Sequence, residues 1–226
     1  MVTCVTVPAM VSPAQETAER ALRVAISRGD MPPGYRLVEA ELVGLTGVSR
    51  SAVRLAIDAL AAEGLVERIQ NKGARVRVVS IEEAIEITEC RMPLEGFLAR
   101  KAAERITAPE ADRLQAHIDA MTAAVDAGDV LKYSDLIQQL HGMVRDAARH
   151  PVAAELVGRL QAQLVRHQFQ LSLRPGRPRV SLAALAAVVD AVVRRDPDQA
   201  EAAAVAHVRG VIAELESAAR EAGERA

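Results

Sequence analysis

Aromatic side chains are almost missing from these 226 residues: two Tyr, two Phe and no Trp, 2% in all. That excludes ring-stacking platforms for single-stranded nucleic acid as the main device. Any core must be built from Ala, Val, Leu and Ile. Two cysteines, Cys4 and Cys90, are too few for a disulfide framework or a four-thiolate zinc site. No apolar run reaches the roughly 18 residues that a membrane helix needs, so no membrane partner is expected. The opening "MVTCVTVPAMVSP" lacks a basic start and a long apolar stretch. It does not read as a signal peptide, and the expected location is the cytoplasm. An excess of one charge is missing too: 28 Lys and Arg face 30 Asp and Glu. With 50% hydrophobic and 26% charged residues, this is an ordinary globular composition with ample chain for a core.

What is present is helix punctuation. Ser12-Pro13-Ala14-Gln15 reads as a capping box with Pro at the first helical position. The helix it opens carries Ala18, Ala21, Leu22, Ala25 and Ile26 on one face and stops before "GDMPPG". A short helix follows from Glu39 to Thr46, then a tight turn at Gly47-Val48-Ser49 with Ser49 as cap of a third helix from Arg50 to about Glu63. "LVERIQNKGARVRVV" alternates apolar and polar residues on both sides of Asn71-Lys72-Gly73, the mark of a β-hairpin.

Past Ser80 only helical periodicity remains. Capping boxes at Ser80–Glu83, Thr107–Glu110 and Asp196–Gln199 start helices, and Gly128, Pro151 and "RPGRP" break them. The expectation is about six helices packed as an antiparallel bundle. The fold class is therefore mainly α: a winged helix-turn-helix over 1–79, with three helices and a hairpin wing, then an all-α bundle over 80–226. Charge divides with it. Residues 1–79 hold ten basic and eight acidic side chains, and the stretch from Arg50 to Arg77 holds six and three.

A helix-turn-helix places the N-terminal residues of its second helix in the DNA major groove. "SRSAVR" offers Arg50, Ser51 and Arg54 there, with Val53 and Ile57 facing inward. Arginine pairs with guanine through two hydrogen bonds, and serine bonds bases or phosphate. Arg36 and the hairpin residues Lys72 and Gly73 complete the expected contacts. The alternative is that these charges only solvate a small domain.

The segment "PPGYRLVEAELVGLTGVSRSAVRLAIDALAAEGLVERIQNKGARV" resembles the N-terminal domain of GntR-family bacterial transcription regulators. Arg50, Ser51 and Arg54 fall on that family's recognition-helix contacts and Gly73 on its wing glycine. Ala52 replaces the common Pro, and Leu55 the common Glu. The remainder resembles the FCD ligand-sensing bundle of the FadR-like branch, through Arg91, Leu94 and Glu95, the pair Leu140-His141, and Asp196-Pro197 to His207. The resemblance implies a cytoplasmic, homodimeric transcription factor on a short palindromic operator of double-stranded DNA. It also implies a repressor relieved by a small organic acid or acyl metabolite.

Many FCD domains hold a divalent metal through one Asp and three His. Here the Asp position is Ile137 and one His position is Leu185, which leaves His141 and His207. His141 shares a stripe with Ile137, Leu140 and Val144, His207 with Ala203, Ala204 and Val211, and His167 with Leu160, Leu164 and Leu171. Each reads either as a hydrogen-bonded core residue or as part of a shared ligand pocket. Three histidines bind zinc in principle, with His167 standing in, but no cofactor is the expectation. Arg91 is either an anion clamp or an i,i+4 partner of Glu95. Two other functions compete with the sensor: a regulator whose bundle has lost its ligand and serves only dimerisation, and a His-based metalloenzyme. For the enzyme, the chain lacks H-E-x-x-H, G-x-S-x-G and P-loop signatures.

Overall fold

The computed structural model describes residues 12–70 and 72–223. The chain divides into two compact units, 1–78 and 79–226, each with its own buried core.

In the first unit, α1 (Pro13–Arg28) starts on Ser12, whose side chain accepts a hydrogen bond from the Gln15 amide. It packs Ala18 and Leu22, both fully buried, toward the third helix. Strand β1 (Arg36–Leu37) leads into α2 (Glu39–Thr46). A left-handed Gly47, φ 68°, ends α2 and lets the chain turn within three residues. The helix α3 (Arg50–Ala62) then begins at Ser49, which accepts from the Ala52 amide at 3.3 Å. Its stripe of Val53, Ile57 and Leu60 is buried. Strands β2 (Val66–Ile69) and β3 (Gly73–Val76) pair antiparallel, Val66 opposite Val76. The sheet order is β1-β3-β2, so the wing has a third, two-residue strand that the sequence did not suggest. Asn71, expected in the hairpin turn, lies outside the described residues.

The second unit is helical throughout its described residues: α4 (Ile81–Arg105), α5 (Ala108–Asp126), α6 (Val130–Ala148), α7 (Pro151–Gln163), α8 (Val165–Ser172), α9 (Arg177–Val193) and α10 (Pro197–Gly223). Seven helices stand where about six were expected. The extra break is at Leu164, where φ −102° and ψ 2° leave the helical region without Gly or Pro to announce it. The caps fall where their signatures lie. Ser80 accepts from the Glu83 amide, the Thr107 amide donates to Glu110 at 2.8 Å, and Asp196 accepts from the Gln199 amide.

Helix α4 crosses the bundle centre and packs against α6, α7, α9 and α10. Gly96 permits its approach to α10, since a Cβ there would stand 2.8 Å from Val205 Cγ2. The core joins Leu98, Leu114, Met121, Leu140, Leu185 and Val192 with many alanines, as the shortage of aromatics requires. No described helix is long and apolar enough to cross a membrane.

Candidate DNA-contact surface and effector pocket

The first turns of α3 expose Arg50, Ser51, Arg54 and Leu55 while Ala52, Val53 and Ala56 are buried. The polar face that the helix-turn-helix logic requires is therefore present. It is also held. Glu39, at the start of α2, takes a two-pronged ion pair from Arg54, Nε and Nη2 at 3.0 Å each, and lies 3.6 Å from Arg50. The Arg54 guanidinium, with Arg50 beside it, keeps the Glu39 carboxyl below its ordinary range. Both arginines remain more than half exposed, at 65% and 58%. Glu39 orients them without removing them from the surface, because an exposed pair of this kind is weak. Ser51 Oγ lies 2.9 Å from Ser49 Oγ, so it shares the helix cap. Lys72 and Gly73 are exposed at the wing turn, and Gly73 has φ 87°, a conformation only glycine adopts freely. Arg36 is exposed on β1 opposite Arg75. The structure thus sets all six expected DNA-contact residues on the surface of one unit. Glu39 is the member that sequence reasoning missed.

The second site lies inside the bundle. Arg91 is 1% exposed and donates from Nε and Nη2 to one oxygen of Glu95, at 2.9 and 2.7 Å. The i,i+4 reading of Arg91 is correct as far as it goes. The same Glu95 oxygen also accepts from Gln161 Nε2 at 2.9 Å, and Gln161 in turn accepts from Arg145. Burial pushes the Glu95 carboxyl up, but the charge of Arg91 outweighs it and holds the pKa at about 2. One group is left over. Arg91 Nη1 is buried without a hydrogen-bond partner.

His141 on α6 and His207 on α10 face each other, ring centroids 6.2 Å apart. Burial lowers His141 to about 4, aided by Arg91 and Arg145 and opposed by Glu95. Burial, His141 and Arg91 lower His207 to about 3. Both rings are therefore neutral at physiological pH. They stand at the junction of two small chambers. One is lined by Arg91, Tyr133, Ser134, Gln138, Arg177 and Ser181, with about 50 Å³ for the centres of water-sized molecules. The other is mostly apolar, lined by Leu98, Leu140, Val157, Leu185 and Val188, with about 40 Å³. The Tyr133 hydroxyl is buried and makes no well-formed hydrogen bond. Burial raises its pKa, tempered by nearby Ser181 and Arg177.

His167 is not in this cluster. Leu160, Leu164 and Leu171, with which the stripe groups it, pack in a separate cluster with Ala84, Ile87 and Leu215, and His167 Nε2 is bonded to the Val79 carbonyl at 2.9 Å. Its expected roles as pocket residue and stand-in metal ligand are therefore corrected: the structure gives it a structural bond. Three pocket residues escaped the sequence reading. Tyr133 and Arg145 continue the four-residue spacing through Ile137 and His141, a signal open to inspection. Arg177, which the sequence showed only inside the helix-breaking "RPGRP", is 9% exposed and reaches the pocket from the first turn of α9.

Residues 14–76 match the gntR family of bacterial regulatory proteins, and residues 86–210 match the FCD domain. The chain belongs to the GntR family of transcription regulators, with a C-terminal FCD domain. It is 25% identical over 199 residues to the HTH-type transcriptional repressor RspR of Escherichia coli (strain K12), covering 88% of this chain and 87% of that one. The HTH-type transcriptional repressor NanR of Cronobacter sakazakii is 27% identical over 228 residues, covering 88% and 84%. Among solved structures, E. coli McbR/YncC superposes with a TM-score of 0.81 at 20% identity, over 91% of this chain and 98% of that one. This last likeness is one of fold. As a GntR regulator the protein is a DNA-binding transcription factor, not an enzyme.

The FCD metal set does not fit these residues. Ile137 and Leu185 are apolar at two of its four positions. Among the described residues no group of three His, Cys, Asp or Glu side chains is placed to hold an ion. Glu95, the nearest carboxylate, is already engaged by Arg91 and Gln161.

Proposed function

We propose that this GntR regulator is a homodimeric repressor that binds a short palindromic operator and is released when a small organic acid enters its FCD bundle. The DNA half of the reading rests on the exposed Arg50, Ser51 and Arg54 at the start of α3, with Lys72 and Gly73 on the wing. Two copies related by a twofold axis match two half-sites. The repressor assignment draws on RspR and NanR, which carry that description.

The acid half rests on one observation. Arg91 Nη1 is a charged donor, buried and without an acceptor, at the wall of a chamber. Leaving such a donor unpaired costs about 1–3 kcal/mol or more, which a bound anion recovers. A bundle that had lost its ligand and served only dimerisation would be expected to fill that space or pair that group. For the acid to act, it must bind the DNA-competent and DNA-incompetent states with different affinity.

The test is selection of operators from random duplex DNA by the full-length protein, followed by affinity measurements with and without small carboxylic acids. Symmetric half-sites and weaker binding in the presence of an acid are the expected results. Selection of an unpaired single site, or an affinity indifferent to every acid tried, would count against the dimer and the sensor respectively.

A further inference from the structure

We propose that the FCD cavity takes a short aliphatic monocarboxylate without a metal, its carboxylate on Arg91 and Tyr133 and its chain in the apolar chamber beyond His141 and His207. This inference rests on the reading above, that the bundle binds an acid, and states which acid and by what contacts.

The head position follows from two buried donors that make no well-formed hydrogen bond. Arg91 Nη1 is buried without a partner, the Tyr133 hydroxyl is buried with only a loose approach from Ser181, and both residues line the same chamber. Two donors suit the two oxygens of one carboxylate. The charge balance asks for an anion as well. Arg91, Arg145 and Arg177 bring three guanidinium groups to the two chambers. The carboxylates facing them are Glu95, spent on Arg91, the half-buried Glu214, 3.6 Å from Arg177, and the exposed Asp146, which acts on Arg145 through its charge. Arg145 hydrogen-bonds a neutral amide, Gln161. Of these groups Arg91, Arg177 and Glu95 are the buried ones, so the interior holds more positive than negative charge, which favours an anion.

The tail position follows from the residues that replaced the metal ligands. Leu185, at a family histidine position, forms part of the wall of the apolar chamber, and Ile137, at the family aspartate position, lies at the edge of the polar one. Where other FCD domains place a cation, this chain places hydrocarbon. His141 and His207, held neutral by burial, add no charge at the junction. A second carboxylate would sit mostly among Leu140, Leu185 and Val188, where the one cation, Arg145, already donates to Gln161, so dicarboxylates are disfavoured. About 40 Å³ holds some three water-sized groups at ~10–15 Å³ each, which limits the chain to about three or four carbons past the carboxyl. Up to that limit each methylene strengthens binding about fourfold. Long acyl chains do not fit.

The experiment is a thermal-shift titration of the full-length protein with the straight-chain acids from acetate to decanoate, with succinate and inorganic phosphate alongside, each with and without EDTA. Stabilisation should climb from acetate, peak at four or five carbons, fall beyond, and be unchanged by EDTA; succinate and phosphate should do little. Tyr133→Phe should weaken every acid about tenfold and leave the optimum in place, and Leu185→Ala should move the optimum one or two carbons longer. A response without length dependence, one confined to succinate or phosphate, or one that needs an added divalent metal would overturn this assignment while leaving an acid sensor standing. No response to any carboxylate would overturn the sensor reading too.

Discussion

Arginine does opposite work in the two halves of this regulator. On α3, Arg50 and Arg54 lie in water, lightly held by Glu39, and their charge is available to an approaching duplex. In the FCD bundle, Arg91 is sealed among helices, bound to Glu95, and keeps one donor unused. Exposure decides the difference. A pair at the surface gains about 0–1 kcal/mol, whereas breaking a buried one leaves a charge stranded at a cost of several.

The same substitution should act very differently at the two places. Arg91→Ala should lower unfolding stability by about 3–5 kcal/mol, because Glu95 is left charged and buried without its partner. Arg54→Ala should leave stability within about 1 kcal/mol of wild type. Chemical denaturation of the two variants checks both. Equal losses would show that burial does not separate the two arginines.

Acid should find the bundle before it finds the winged domain. Unfolded histidines take up a proton near pH 6.5, whereas folded His141 and His207 do so only near 4 and 3. Between those values the unfolded chain holds more protons, so stability falls as pH falls, by up to about 2.7 kcal/mol per unit for the two together. Below about pH 4.5 the low pKa of Glu95 adds a further loss. Melting curves from pH 7.5 to 5 should show the slope, and a His141→Gln, His207→Gln double variant should flatten it.

Operator discrimination comes next. Arg50→Ala and Arg54→Ala should each cost about 1–3 kcal/mol between specific and non-specific duplexes. Glu39→Gln sharpens the point with a smaller effect. It releases both arginines, so non-specific affinity should rise two- to threefold while discrimination shrinks, as judged by anisotropy on matched and scrambled duplexes. Last, Leu55→Glu, which sets a carboxylate beside Arg54 on the exposed face, should weaken all duplexes about equally.

The winged domain was largely legible because its determinants are local. Ser12 and Ser49 lie beside the helices they cap, Gly47 sits inside the turn it permits, and the hairpin alternates around its own Gly73. Strand β1 escaped notice because two residues, Arg36 and Leu37, cannot show a period. The pocket was legible only in part because it is assembled from α4 and from α6 to α10. Arg91, His141 and His207 could be named from motif and stripe. Their meeting could not, nor could the arrival of Arg177 from a loop rich in Pro and Gly. His167 was misplaced for a physical reason: its companions Leu160, Leu164 and Leu171 do pack together, but in a second cluster with Ala84, Ile87 and Leu215 rather than around His141 and His207. Helical periodicity says which residues share a face, not which part of the core that face meets.

If the buried Arg91 answers to an acid while the exposed Arg50 and Arg54 answer to DNA, operator affinity shows it when measured with and without saturating pentanoate, for the wild type and for Arg91→Lys. Pentanoate should weaken operator binding at least fivefold in the wild type and leave Arg91→Lys, itself normal on DNA, unchanged. Equal responses in the two proteins, or none in the wild type, would contradict it.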